Sequence, residues 1–183
     1  MSAGWQVRGH DAEQAAKILD ELVAVYLEVY RDQLGGFHNE DRYRRQLAGH
    51  LTNPGWKLAT ATSGGELIGY AYGFPLPPTT RWWQGLQTPA PEGFTDEDGR
   101  RTFAISEIMV RASWRRRGVA RSLHDELLSG RTESRATLLV EPANTPAQAA
   151  YASWGYRKAA ALLPAWENAP TYNALVRPHE LDD

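Results

Sequence analysis

The sequence predicts one α/β domain in which helices pack beside a β-sheet. Hydrophobic patterns with helical and strand periods alternate, in the order helices, hairpin, strand, helix, strand, helix, strands. The 183 residues suit one domain with a sizeable core, and no internal repeat indicates a second. In addition, an apolar run leads through a short polar turn into an amphipathic helix, which is a strand–turn–helix unit.

Turn-forming residues separate the predicted elements. Gly35-Gly36 and Asn53-Pro54-Gly55 end two helices, and Ser63-Gly64-Gly65 is a hairpin signal between two apolar runs. Asn144 suits a helix N-cap, and Gly155 suits the end of that helix. The predicted elements are helices over 11–31 and 40–51, strands over 56–62 and 66–74, a strand over 103–110, a helix over 118–128, a strand over 136–140, a helix after 144, and strands over 156–160 and 171–176.

The turn at residues 115–120, Arg-Arg-Arg-Gly-Val-Ala, has the features of an anion-binding site. The first backbone N–H groups of a helix lack intrahelical partners, and the helix dipole favours negative charge there. Gly118 and Ala120 are small enough to let a diphosphate approach the backbone, and the arginines add charge-assisted donors. No Lys-Ser or Lys-Thr follows the glycine, which excludes a nucleotide-hydrolysing P-loop, and no Gly-x-Gly-x-x-Gly supports a dinucleotide fold.

Two motifs resemble those of GNAT-type N-acetyltransferases. Arg115, Gly118 and Ala120 occupy the fixed positions of the family's acyl-CoA loop, Gln/Arg-x-x-Gly-x-Gly/Ala. The second motif, Asn-x-x-Ala-x-x-x-Tyr-x-x-x-Gly-Phe/Tyr, matches at all five positions: Asn144, Ala147, Tyr151, Gly155 and Tyr156. The resemblance implies a mixed, mostly antiparallel sheet flanked by helices, with a splayed strand where CoA binds.

The resemblance also implies that acetyl-CoA is the co-substrate. The strand before the turn would pair with the pantetheine arm as if with an added strand, and an N–H near Val110 would face the thioester oxygen. The residues expected to contact CoA are Ile108, Met109, Val110, Arg115, Arg116, Arg117, Gly118, Val119, Ala120, Asn144 and Tyr151.

The chain contains no cysteine, which excludes disulfides, thiolate zinc sites and a cysteine acyl-enzyme. If an acetyl group is transferred, we expect the amine to attack the thioester directly, in a ternary complex. The five histidines lack the His-x-x-x-His spacing of a metal-binding helix, so no metal is expected.

Two residues are the candidates for acid–base chemistry. Glu107 lies in an apolar run, where burial would raise its pKa toward neutrality, and it is the expected base. The alternative is a strand residue that faces solvent or pairs with an arginine, and Glu141 is then the second candidate base. Tyr151 occupies the family's general-acid position, with core packing as its alternative role.

The acceptor side is expected to be aromatic. The aromatic residues are Tyr26, Tyr30, Phe37, Tyr72, Phe74, Trp82 and Trp83, and the predicted acceptor contacts are Tyr26, Tyr30, Trp82, Trp83 and Glu141. Residues 75–102 form an inserted loop that either covers the acceptor pocket or packs on the outside. Aromatic walls favour a small-molecule amine. A peptide N-terminus or a lysine is the second acceptor class.

Charge and composition leave two further classes open. Arg111, Arg115, Arg116, Arg117 and Arg121 form a basic cluster that a nucleic acid could use, although the net charge of −2 disfavours this. A non-catalytic acyl-CoA-binding module would keep the turn without needing the acid and the base. No signal peptide or apolar span is evident, so a cytoplasmic protein, monomeric or homodimeric, is expected, without nucleic-acid or membrane partners.

Overall fold

The computed structural model describes residues 4–166 and 168–179. The chain divides into two compact units: unit 1 is Met1–Phe74 with Ser106–Arg131, and unit 2 is Pro75–Ile105 with Thr132–Asp183. The strands are β1 (Gln6–His10), β2 (Lys57–Ser63), β3 (Glu66–Pro75), β4 (Thr102–Val110), β5 (Arg135–Val140), β6 (Arg157–Leu162) and β7 (Tyr172–Pro178). The α-helices are α1 (Ala12–Ala16), α2 (Leu19–Val29), α3 (Glu40–His50), α4 (Val119–Leu128) and α5 (Thr145–Ser153), with 3-10 turns at Arg31–Gln33 and Ala112–Trp114.

The strand order is β1-β2-β3-β4-β5-β7-β6. β4 and β5 are parallel, whereas the β1–β2, β2–β3, β5–β7 and β6–β7 ladders are antiparallel. This confirms the predicted α/β fold with a mixed, mostly antiparallel sheet and flanking helices. In the described part of the chain, no helix is long and apolar enough to cross a membrane.

Unit 1 is built around the β2–β3 hairpin. Gly64 and Gly65 have φ angles of +57° and +84°, which form the two-residue turn that the sequence predicted. α4 packs against β1 and β2, and α2 packs against α3. The core consists of aromatic and aliphatic side chains that include Leu22, Tyr26, Tyr43, Leu47, Leu58, Tyr70 and Tyr72.

In the first thirty residues, one prediction is wrong and one strand was not predicted. The helix predicted over 11–31 is two helices, because the backbone leaves the helical conformation at Ile18, whose φ is −122° and ψ is 20°. The apolar period continues across this break, so the period alone cannot show it. β1 was not predicted, because it is an edge strand with mostly exposed side chains and therefore lacks a hydrophobic signal.

In unit 2, β7 pairs with both β5 and β6. The first half of β4 pairs with β5 from Thr102↔Arg135 to Ile105↔Leu138. Gly155, with φ of +94°, follows the end of α5 and supplies the left-handed conformation common after a helix C-terminus. The predicted strands over 136–140, 156–160 and 171–176 correspond to β5, β6 and β7.

Candidate active site

The arginine turn leads into α4 with the predicted geometry. Gly118 is the N-cap of α4 in the left-handed conformation, with φ of +89°, and has no side chain to cap the helix. A Cβ at Gly118 would meet no atom within 4 Å, so the space beside the backbone is open. Arg116 also has a positive φ, +59°, which is uncommon for a residue with a side chain. An open, glycine-started helix of ten residues fits the diphosphate group that the motif predicts.

The arginines of the predicted basic cluster have different roles. Arg111 pairs with Glu28 and donates to the Leu67 carbonyl, and Arg121 pairs with Asp125 on α4. These two side chains are neutralised by carboxylates of unit 1 and contribute little to a basic surface. Two of the five arginines in the predicted basic cluster are thus paired with carboxylates.

The other three arginines lie in the turn itself. The Arg115 Nε donates to the Val110 carbonyl at 3.1 Å, which ties the turn to the end of β4. The Arg117 guanidinium lies 5.1 Å from the centre of the Trp114 ring. Arg116 is exposed.

β4 extends past its ladder with β5. The last registered pair is Ile105↔Leu138, whereas β4 continues to Val110. On the side of β3, Gly69 approaches β4 so closely that a Cβ there would lie 2.6 Å from the Met109 carbonyl oxygen. Backbone groups at positions 108–110 thus lie beyond the registered β4–β5 pairs, as an added strand would require.

Glu107 is a partly buried carboxyl group on β4, in the portion that belongs to unit 1. Its Oε1 accepts a hydrogen bond from the Gln46 Nε2 of α3 at 3.2 Å. Burial raises the pKa of Glu107 to about 7, while the Gln46 hydrogen bond and the charge of Arg42 act in the opposite direction. The predicted direction of this pKa change is confirmed. A carboxyl group with this pKa exchanges protons readily at neutral pH.

Gln46 connects Glu107 to a second polar group. The Gln46 Nε2 also donates to the Tyr72 hydroxyl at 3.3 Å, and that hydroxyl lies 3.0 Å from the His50 Nδ1. The Ser106 hydroxyl lies 3.4 Å from both atoms. Burial, followed by the charge of Arg42, lowers the pKa of His50 to about 4, so this imidazole is neutral at pH 7.

Neither Gln46 nor His50 was among the predicted site residues. A signal was nevertheless present, because Arg42, Gln46 and His50 follow one another at intervals of four residues. That spacing places all three on one face of a helix. The same helix carries buried Tyr43 and Leu47, so the polar face borders the core-facing side.

The two predicted acceptor residues of unit 1, Tyr26 and Tyr30, both contact His38. The Tyr26 hydroxyl lies 3.0 Å from the His38 Nδ1, and the Tyr30 ring stacks on the His38 ring at 4.1 Å. Tyr26 is 2% exposed and stacks on Tyr43 at 3.8 Å. Burial, then the charge of Glu107, raises the pKa of Tyr26 to about 12. Much of the Tyr26 ring is therefore core.

The second motif lies in unit 2. The Asn144 side chain accepts from the Ala147 N–H at 3.3 Å and caps α5, as predicted. Tyr151 is half-buried, and its ring contacts Trp154 and Tyr156 edge-on at 5.4 and 6.1 Å. Glu141, the second candidate base, is partly buried after the end of β5.

The inserted loop, 75–102, is anchored within unit 2. Trp83 is 6% exposed and donates from its Nε1 to Glu97, which also accepts from Thr102 and Arg135. Leu86 forms an isolated bridge with a residue of β6. Trp83, a predicted acceptor contact, is thus interior to unit 2, while Trp82 is half-buried. These contacts anchor the loop within unit 2, and whether it covers the acceptor pocket stays a prediction.

Comparison with known proteins identifies the family. The profile of the Acetyltransferase (GNAT) family matches residues 20–156. The chain therefore belongs to the GNAT acetyltransferase family and is an N-acetyltransferase. No curated protein sequence matches the chain.

Solved structures share the fold. Similar structures include the ribosomal-protein-S18-alanine N-acetyltransferase from Escherichia coli, with 13% identity, TM-score 0.64, and coverage of 98% of this chain and 96% of that chain. Aminoglycoside 6'-acetyltransferase type Ii has 13% identity, TM-score 0.67, and coverage of 97% and 99%. The PaiA N-acetyltransferase from Thermoplasma acidophilum, a complex with coenzyme A, has 10% identity, TM-score 0.59, and coverage of 98% and 100%. At these sequence identities, the likenesses show that the fold is shared. Among the described residues, no group of three His, Cys, Asp or Glu side chains could hold a metal ion.

Proposed function

We propose that this protein transfers the acetyl group of acetyl-CoA directly to the primary amine of a small molecule, in a ternary complex. The observation that carries the proposal is Glu107, a partly buried carboxyl group whose pKa is raised to about 7 by burial. A base of this kind can take a proton from an amine near neutral pH and requires no metal.

The turn residues and β4 would hold acetyl-CoA. The N–H groups at the start of α4, with Arg115, Arg116 and Arg117, would bind the diphosphate. Backbone groups of residues 108–110 would pair with the pantetheine arm. Asn144 and Tyr151 of unit 2 remain predicted contacts from the motif. When bound, acetyl-CoA supplies an activated acetyl group.

Acid–base chemistry would be shared between two residues. Glu107 would accept the proton that the amine loses as the new N–C bond forms. Tyr151 would donate a proton to the sulfur as the C–S bond breaks. An N–H near Val110 would donate to the carbonyl oxygen, where negative charge develops.

The aromatic and histidine side chains near the α2–α3 connection support a small amine acceptor. Tyr30 and His38 present stacked rings there, and Arg42 lies 3.5 Å from the centre of the Phe37 ring. Rings of this kind suit a planar or hydrophobic amine. A peptide N-terminus is the second candidate, because one similar structure is a ribosomal-protein-alanine N-acetyltransferase.

The test is thiol release from acetyl-CoA with three probe acceptors: an aminoglycoside, tyramine and a short peptide that begins with alanine. We expect turnover with at least one of the first two, rising with pH through about 7. Glu107→Gln should lower kcat at least about tenfold, within the range of general-base contributions, and leave acetyl-CoA binding unchanged. Turnover with the peptide alone would replace the small-molecule acceptor, and full activity of Glu107→Gln would remove Glu107 as the base.

A further inference from the structure

One side chain in unit 1 contacts the proposed base without being part of either sequence motif. Gln46 places its Nε2 3.2 Å from the Glu107 Oε1 and 3.3 Å from the Tyr72 hydroxyl. An amide nitrogen has two hydrogens, and the two contacts use one hydrogen each. A carboxylate only accepts hydrogen bonds, so the nitrogen, and not the oxygen, of Gln46 must face an ionised Glu107.

Tyr72 and His50 are compatible with this orientation of the amide. Burial keeps His50 neutral at pH 7, so one of its ring nitrogens is an acceptor. The Tyr72 oxygen accepts from Gln46 and can give its own proton to the His50 Nδ1, 3.0 Å away. When His50 carries its hydrogen on Nε2, the donors run in one direction, from Gln46 to Tyr72 to His50. A flipped Gln46 would place an acceptor oxygen against the Glu107 carboxylate, which is unfavourable.

We propose that Gln46 is a positioning residue for Glu107, and that Tyr72 and His50 hold Gln46 in the orientation it needs. The inference rests on the proposed function, in which Glu107 is the base. Gln46 binds Oε1 alone, so Oε2 can accept the proton of the acceptor amine. A single held oxygen also limits rotation of the carboxyl group, and catalytic groups need such fixed geometry.

The charged and titratable groups around Glu107 determine how the loss of Gln46 changes the pKa of Glu107. The groups that interact with its charge are Arg42 and Tyr43 on α3, Tyr26 on α2, and Tyr70 and Tyr72 on β3. Burial raises the pKa of all four tyrosines, so they stay neutral near pH 7. Arg42 and the Gln46 hydrogen bond favour the ionised carboxylate against burial. Without Gln46, Glu107 holds its proton to higher pH.

The experiment measures the ionisation of Glu107 directly. The protein is labelled with 13C at the glutamate carboxyl carbons, and the Glu107 signal is assigned as the one that Glu107→Gln removes. Its pH titration is compared in the wild type, in Gln46→Leu, and in the control Gln6→Leu, an exposed glutamine on β1. We expect Gln46→Leu to move the Glu107 midpoint upward by about one pH unit, the effect of one lost hydrogen bond to a charged group. Gln6→Leu should leave it unchanged.

Kinetics with the best of the three probe acceptors then separates the role of Gln46 from the proposed role of Glu107 as the base. The acidic limb of the kcat profile should move upward with the midpoint in Gln46→Leu, while KM for acetyl-CoA stays constant. In a Glu107→Gln background, Gln46→Leu should have no further effect. If Gln46→Leu does not fold, Tyr72→Phe replaces it and should move the midpoint in the same direction by less. A folded variant with an unmoved Glu107 midpoint overturns the role of Gln46. An acidic limb that survives Glu107→Gln overturns the proposed function instead.

Discussion

Replacing the proposed base should stabilise the protein at alkaline pH. The carboxyl group of Glu107 has a pKa of about 7 in the folded chain, against 4.5 for an ordinary glutamate. The folded state therefore binds the proton more tightly than the unfolded state. The free energy of unfolding falls as the pH rises from about 4.5 to about 7, and above pH 7 the full cost of the buried charge is present.

The cost of this charge follows from the two pKa values. Their difference corresponds to about 3 kcal/mol at pH 8, and to almost none at pH 4. Glutamine matches the protonated side chain in shape and can still accept from the Gln46 Nε2 through its carbonyl oxygen. Glu107→Gln should therefore recover most of this free energy at pH 8. For a chain of 183 residues, this is a rise in Tm of roughly 6 to 12 °C.

Thermal and urea unfolding at pH 4.5, 6 and 8 test this prediction. The difference between Glu107→Gln and wild type should grow with pH over that range. Glu13→Gln is the matched control, because the Glu13 side chain is 87% exposed and its replacement should change stability by less than about 0.5 kcal/mol at every pH. A Glu107→Gln protein that is no more stable than wild type at pH 8 would refute the burial argument.

Four further substitutions test packing and helix capping within each unit. Gly69→Ala would press a Cβ against a backbone carbonyl of β4 and should destabilise the protein by at least about 2 kcal/mol. Gly49→Ala, in open space on α3, should stabilise it by up to about 1 kcal/mol. Urea unfolding measures both changes. Glu97→Ala would leave Arg135, 2.9 Å away, without its buried partner, at a cost of about 3–5 kcal/mol, and limited proteolysis should then cut the inserted loop faster. Asn144→Ala removes the N-cap of α5 and should lower the free energy of unfolding in urea by about 1 kcal/mol. An unchanged free energy of unfolding would show that the cap contributes nothing.

The sequence was most informative where the chain has a local signal. The turn at 115–120, the Asn144 cap and the glycines of the hairpin each depend on backbone requirements that particular residue types satisfy. Among the described residues, the predicted elements include six of the seven strands and, as separate helices, three of the five α-helices. Local signals thus predict the order of most elements of this fold.

Long-range and edge features were less predictable. β1 is held in the sheet by its pairing with β2, from Gln6↔Thr62 to His10↔Leu58. Its five residues are mostly exposed, so they show no hydrophobic period in the sequence. The contact between Glu107 and Gln46 joins residues 61 positions apart. The helical spacing of polar residues on α3 was visible, but only the fold shows which strand it faces.

The placement of Glu107 links stability to the proposed chemistry. A polar neighbour that lowers the pKa of Glu107 makes burial of its charge less unfavourable. A carboxylate with an ordinary pKa, however, would be too weak a base to take a proton from an amine. Gln46 supplies one hydrogen bond, and the positive charge of Arg42 acts in the same direction, yet burial outweighs both. The four surrounding tyrosines add no positive charge. The result is a carboxyl group that stays near pKa 7, and the stability gained by Glu107→Gln measures how much the fold gives up to keep it there.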